Sequence, residues 1–264
     1  MLQVTNVCKT FNPGTGNAKR ALTDLNLHLY PGDFVTVIGG NGAGKSTLLN
    51  MIAGVYPIDS GSVFLGGKDL TQMPEHKRAK YIGRVFQDPL MGTAAGMEII
   101  ENLALARRRG KVRSLAWGIK REEKEEFFAL LQNLDLGLED RITTKVGLLS
   151  GGQRQALTLL MATLKKPDLL LLDEHTAALD PKTAEKVLDI TEKIVKKDDL
   201  TTIMITHNMH HAIALGNRLI MMMDGKIIYD ISGEEKKGLR VKDLLERFGH
   251  SGGGEFANDR MLLS

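Results

Sequence analysis

Cysteine is almost missing from this 264-residue chain: Cys8 stands alone, and a single thiol closes no intrachain bridge. That excludes the disulfide framework of small secreted domains and suits a reducing compartment, with Cys8 read as a small buried hydrophobe. Long apolar runs are missing too. The longest, such as Leu169 to Leu172 and Leu219 to Met223, are strand-sized and far short of the roughly 20 residues a membrane-spanning helix needs. The first residues lack a basic segment leading into an apolar core, so no secretory signal is expected. Charge of one sign is scarce: 35 Lys and Arg against 32 Asp and Glu leave +3, too little to suggest a nucleic-acid partner. Aromatics make up only 5%, but 42% hydrophobic and 25% charged residues are the balance of an ordinary globular chain, which excludes disordered and collagen-like classes.

What is present reads as alternating strand and helix. Leu25, Leu27 and Leu29 alternate with polar residues and stop at Pro31-Gly32-Asp33, a half-buried strand closed by a turn. Phe34 to Ile38 is a short apolar run that leads into a glycine-rich loop and then a helical pattern at Leu48, Leu49, Ile52 and Ala53. Leu169 to Leu172 and Thr201 to Ile205 lack alternation, as strands covered on both faces do. Arg218 to Met223 and Lys226 to Ile231 flank Asp224-Gly225, the dipeptide of type I′ hairpin turns. Between Asp88 and Lys166 helix formers dominate. There Arg121 to Asn133 carries Phe127, Phe128, Leu130 and Leu131 amid Glu and Lys, which suggests an inserted helical lobe. Basic residues Arg107, Arg108, Arg109, Lys111, Arg113, Lys120 and Arg121 surround Trp117. They read either as a solvated helical face or as a patch for anionic lipid headgroups or a membrane partner, at about 1 kcal/mol per residue. The tail beyond Phe248, with Ser251-Gly252-Gly253-Gly254, is expected to be loose.

The chemistry concentrates in two places. Gly39-Gly40-Asn41-Gly42-Ala43-Gly44-Lys45-Ser46, followed by Thr47, fits G-x-x-x-x-G-K-[ST] between a strand and a helix. Glycines let successive backbone N–H groups turn toward phosphate oxygens, the helix N-terminus adds its positive dipole end, and Lys45 brings a mobile charge to the outer phosphates of ATP. The Ser46 hydroxyl is a Mg²⁺ ligand in this pattern. The second place is the end of the leucine run, where Asp173 is expected to hold Mg²⁺, directly or through water. Glu174 beyond it can orient or deprotonate a water that attacks the γ-phosphate.

Upstream of Asp173, Leu149-Ser150-Gly151-Gly152-Gln153-Arg154-Gln155 turns a generic P-loop reading into a specific one. Here the sequence resembles the ABC ATPase family over residues 1–248, with Ser150, Gly151, Gly152 and Gln153 as its signature motif. The resemblance implies an α/β P-loop NTPase (RecA-like) core, residues 1–87 and 167–248, with an antiparallel β edge subdomain. It further implies an inserted α-helical subdomain, 88–166; the remainder, 249–264, is the flexible tail expected from its composition. It implies roles for single residues as well. Phe11 stacks on adenine, Gln87 senses Mg²⁺ and the lobe interface, Asp180 is the D-loop aspartate, and His207 contacts the γ-phosphate. Departures are Ala177 for a frequent serine, Phe11 for the commoner tyrosine, and His175 where proline is frequent.

By the same resemblance, two copies meet head to tail, each ATP lying between the P-loop of one and the signature motif of the other. The implied function is ATP-driven dimer closure coupled to transport by separate transmembrane permease subunits. Of the arrangements this allows, a prokaryotic importer with an extracytoplasmic solute-binding protein is favoured, the chain sitting in the cytoplasm on the inner membrane face. Asn12-Pro13-Gly14-Thr15 and Asp173 to Asp180 resemble the ATPases of uptake systems grouped with tryptophan and tyrosine transport. A soluble ABC ATPase for macromolecular assembly, of the iron–sulfur cluster type, is the alternative. Export with a separate permease is a third option.

Overall fold

A computed structural model describes residues 1–110 and 118–250; positions 111–117 of the basic stretch and the tail from 251 lie outside the described residues. Contacts divide the chain into two compact units, Met1–Arg78 with Asp199 onward, and Ala79–Asp198.

The first unit opens with β1 (Leu2–Phe11) and β2 (Lys19–Leu29), then β3 (Phe34–Gly39), α1 (Lys45–Ala53), β4 (Ser60–Leu65), β5 (Lys68–Asp69) and the short α2 (Glu75–Arg78). β1 lies between β2 and β4 in an antiparallel sheet of order β2-β1-β4-β5. Along β2 the side chains of Leu25, Leu27 and Leu29 are buried and those between them are not, the period of a sheet with one wet face. Every residue of β3 is buried, which is why its sequence does not alternate. α1 stops at Gly54, whose φ of 87° is the left-handed conformation of a helix C-cap. Buried Arg78 donates to the carbonyls of Met51 and Ile52, 2.8 Å each, and so satisfies last-turn acceptors that the helix itself cannot.

The second unit contains β6 (Ile82–Val85), α3 (Ile99–Arg107), α4 (Arg121–Gln132), α5 (Gly151–Thr163), β7 (Leu169–Asp173) and α6 (Pro181–Asp198). β6 and β7 pair in parallel, Ile82 beside Leu169 through Val85 beside Leu172. On α4, Phe127 and Leu131 are buried while Phe128 is 41% exposed, since neighbouring positions on a helix diverge by about 100°. The basic stretch is partly used inside this unit. Arg107 pairs with Glu126 and Glu123, Arg108 lies 3.0 Å from Glu123, and Arg109 donates to the carbonyls of Ala162 (3.0 Å) and Lys165 (2.8 Å). Burial lowers the pKa of Arg109. These three arginines tie the end of α3 to α4 and to the end of α5, with about a third of the Arg107 and Arg108 side chains still exposed, while Lys111 and Arg113 lie outside the described residues.

The chain returns to the first unit with β8 (Thr202–Ile205), α7 (Met209–Ala214), β9 (Arg218–Met223), β10 (Lys226–Ser232), α8 (Gly233–Lys237) and α9 (Val241–His250). β8 and β9 both run parallel to β3 and flank it, and β10 pairs antiparallel with β9. Asp224 and Gly225 have φ of 48° and 74°, the two left-handed positions of the expected type I′ turn. Ile38, Met209, Ala212, Leu219, Met221, Ile231, Leu239 and Leu244 form one apolar cluster that seats α7 and α9 against these strands. Among the described residues no helix is long and apolar enough to cross a membrane.

Candidate nucleotide-binding site

Parallel strands present their carboxyl ends and the loops beyond them on one side, the usual place for a ligand. In the first unit β3 and β8 are neighbours, with Val37 beside Ile205 and the Thr206 N–H bonded to Val37 O at 3.2 Å. The glycine loop leaves the end of β3 and His207 leaves the end of β8, so both belong to the same edge. Within the loop Gly42 and Gly44 have φ of 81° and 98°, backbone that a side chain strains. A Cβ at Gly44 would fall 2.6 Å from Ala21 O, and one at Gly39 would fall 2.4 Å from Met222 O. Glycine is therefore required at 39 and 44 by the fold as well as by any ligand. Asn41, exposed, and Gly40 and Ala43, both buried, complete the loop, and the Ala43 N–H bonds Gly40 O at 3.2 Å.

Lys45 is buried and donates from Nζ to the carbonyls of Gly39 (2.7 Å) and Gly40 (3.0 Å), so its ammonium sits over the loop. Leu48 N–H reaches Gly44 O within the helix; the first-turn N–H groups of Lys45, Ser46 and Thr47 precede any intrahelical acceptor and are the donors that an anion takes. Ser46 is exposed at this turn. The loop thus fits a polyphosphate. Phe11, at the end of β1, is half-buried and packs edge to face on Tyr56 with ring centroids 5.1 Å apart, Lys9 Nζ standing 5.7 Å from its ring. Next to His207, Asn208 caps α7 by accepting from the His211 N–H at 3.1 Å.

The second unit repeats the arrangement. β6 ends at Val85 and leads to exposed Gln87; β7 ends at Asp173 and leads to Glu174. Asp173 lies 3.5 Å from Arg84 on the neighbouring strand, whose guanidinium stands 4.5 Å over the Phe86 ring. Glu174 has φ of 44°, a left-handed conformation that costs a non-glycine residue on the order of 1 kcal/mol and is typical of functional turns. Ser150 is the N-cap of α5: its Oγ accepts from the Gln153 N–H (3.3 Å) while Gln153 Oε1 accepts from the Ser150 N–H (3.2 Å), a capping box. Gln153 also donates to Leu136 O. Its amide thereby shapes the helix start on which Gly151 and Gly152 stand. Asp180 is exposed, and the Thr183 hydroxyl and N–H hold its carboxyl below the usual range.

Several residues that hold these loops were not singled out by sequence. Arg154 donates to the carbonyls of Val146, Gly147 and Leu149, bracing the approach to Ser150. Gln155 is fully buried and donates to Phe86 O at 3.1 Å, joining the signature helix to the segment that carries Gln87. Asn102 binds Ala94 through both its amide atoms. Only Arg154 and Gln155 had a signal, their place inside the motif; the partners of Arg84 and Asn102 are set by pairing that no local pattern announces.

A profile of the ABC transporter family matches residues 22–177. The chain belongs to that family. This ABC ATPase is 44% identical to a tyrosine transport ATP-binding protein of Clostridioides difficile, over 94% of this chain and 98% of that protein. It is 31% identical to a phosphonates import ATP-binding protein of Lactococcus lactis subsp. cremoris, over 89% and 94%. A spermidine/putrescine import ATP-binding protein of Haemophilus influenzae is 33% identical over 89% of this chain, which spans 59% of that relative's length. Among solved structures, an ATP-binding cassette dimer bound to ADP and Pi superposes with a TM-score of 0.75 at 30% identity, covering 88% of this chain and 98% of that one. The fold is the P-loop NTPase fold of the ABC cassettes, and the chain is an ATP-binding, ATP-hydrolysing transporter subunit. The iron–sulfur assembly alternative is not favoured, since these relatives are named for transport.

Proposed function

We propose that this ABC ATPase powers the uptake of a small solute of the amino-acid class through separate permease subunits, fed by an extracytoplasmic solute-binding protein. The glycine loop between β3 and α1, with Lys45 over it and Ser46 at the first turn, carries the nucleotide part of the reading. The solute class rests on the likeness to the tyrosine transport protein. In this reading residues 1–248 are one nucleotide-binding domain whose helical subdomain spans 88–166, lodged on the inner face of the cell membrane. Leu90 and Met91, 46% and 70% exposed just after Gln87, offer an apolar landing for a membrane subunit's cytoplasmic helix.

Phe11 holds the adenine ring, residues 39 to 47 wrap the phosphates, and Lys45 balances the charge of the β- and γ-phosphates. Ser46, Gln87 and Asp173 supply a hydroxyl, a carboxamide and a carboxylate, the oxygen donors Mg²⁺ takes beside phosphate. When bound, the ion neutralises the phosphate oxygens. Glu174 orients the attacking water and accepts its proton, while His207 contacts the γ-phosphate. Ser150, Gly151 and Gly152 form the second anion cradle, shaped by Gln153, and act on the nucleotide held by the other copy of the chain, with Asp180 at that interface. ATP favours the closed dimer because both cradles bind its γ-phosphate; hydrolysis removes that bridge and favours opening.

Glu174→Gln tests this reading. Nucleotide binding is expected to persist, steady-state turnover to fall at least about a hundredfold, and a dimer to accumulate with MgATP in light scattering. Undiminished turnover, or a chain that stays monomeric with MgATP even with its permease supplied, overturns it.

A further inference from the structure

His175 follows Glu174 directly, and nothing in the P-loop chemistry uses it. Its ring is buried, 2% exposed, and Nε2 lies 3.1 Å from Oγ1 of Thr191, midway along α6. Thr191 is itself fully buried and donates its one hydroxyl proton to Val187 O at 2.8 Å. That proton can be given only once, so Nε2 is the donor to Oγ1 and the bond holds the ring in one orientation. The hydrogen bond ties the residue after Glu174 to the rigid interior face of an 18-residue helix.

The tie acts at a place where the backbone needs holding. Glu174 is in the left-handed region at φ 44°, a conformation that persists when its surroundings over-determine it. On the far side of the turn, the Ala177 N–H bonds Glu174 O at 2.9 Å and the Ala184 N–H bonds Asp180 O at 2.8 Å, so the segment is pinned where it closes and where it enters α6. The His175 to Thr191 bond is a side-chain anchor within the first of those turns. A proline here would restrict its own φ and supply no such anchor.

We propose that His175 is a positioning residue: by donating from Nε2 to Thr191 on α6 it fixes the strained turn, and so the aim of the Glu174 carboxylate at the attacking water. This rests on the reading of Glu174 given above. The consequence is that a hydroxyl on the interior face of α6 sets the rate of hydrolysis without touching nucleotide.

The test uses the full-length chain with MgATP and compares Thr191→Val, Thr191→Ser and Glu174→Gln for kcat, KM, ATP affinity and thermal midpoint. Valine keeps the branched shape and loses the acceptor; serine keeps the acceptor. Thr191→Val is expected to lower kcat about tenfold, with KM and ATP affinity within about twofold of wild type, because a carboxylate displaced by a fraction of an ångström loses rate rather than binding. Thr191→Ser is expected to restore most of the rate. A Thr191→Val protein with wild-type kcat, a rate loss matched by lost ATP affinity, or a serine variant no faster than valine overturns the proposal. If Thr191→Val does not fold, His175→Phe removes the same bond from the other side, and the same kcat loss at unchanged KM is expected of it. Glu174→Gln separates the two levels: if it retains turnover, the role of Glu174 fails first; if it is inactive while Thr191→Val is normal, only the positioning role fails.

Discussion

Lys236 shows what a single buried cation does to this chain. The residue is 2% exposed, its ammonium donates to the carbonyls of Leu215 and Gly216 at the end of α7, and burial lowers its pKa from 10.5 to about 8. The unfolded chain therefore holds more proton than the folded one between about pH 8 and 10.5, and stability from this group rises with pH across that window. Lys236→Met removes the effect. The stability of wild type relative to the variant is expected to increase by on the order of 2 kcal/mol between about pH 7 and pH 10 in denaturant melts; a flat or falling difference contradicts the assignment. Residues of this kind were illegible in the sequence, where Lys236 is one of many surface-like lysines. Lys45, Ser46 and Asp173 stand out in the sequence because they fall inside recognisable motifs. Arg109 gives no such sign of its role, and Gln155 none beyond its place in the motif, because their acceptors lie 53 and 69 residues away.

At the scale of elements, packing explains glycines that motif chemistry alone leaves optional. A Cβ at Gly152 would lie 2.1 Å from the Thr183 Cγ2 methyl, so the second residue of α5 has room for glycine alone beside the start of α6. Gly152→Ala is expected to cost about 1–2 kcal/mol despite alanine's better helix propensity. In a Thr183→Ser background, which deletes the methyl and keeps the hydroxyl near Asp180, the loss should shrink below about 0.5 kcal/mol. An undiminished loss in that background would place the strain elsewhere. Element type was readable wherever the local pattern was distinctive: the unbroken leucine run of β7, the alternation of β2, and the Asp-Gly turn between β9 and β10. The inward set on α4 was less so. Phe127 and Phe128 are equivalent in composition, and it is the packing of α4 against α3 and the one-turn helix at Glu139–Arg141 that gives the helix an inward face, with Phe127 on it.

At the scale of the whole chain, the sequence announced an α/β protein with a helical insertion, because the strand motifs bracket a long helix-rich stretch. It did not announce how strand pairs sort the site residues, the glycine loop with His207 on one unit and Gln87 with Glu174 on the other, since pairing partners are remote in sequence. One such pairing constrains any engineering of this ABC ATPase. Gly225 in the β9–β10 turn donates to Ala43 O at 3.1 Å and accepts from the Thr23 N–H at 3.0 Å, and a Cβ on it would meet Ala21 O at 2.6 Å. Hairpin tips are ordinarily the permissive sites for epitope tags. A short tag between Asp224 and Gly225 is expected to abolish retention on immobilised ATP, whereas the same tag between Gly66 and Gly67, where an added Cβ meets nothing within 4 Å, should be silent. The tip of this hairpin is a keystone under the phosphate loop, and cutting it open would empty a pocket whose own residues were never touched.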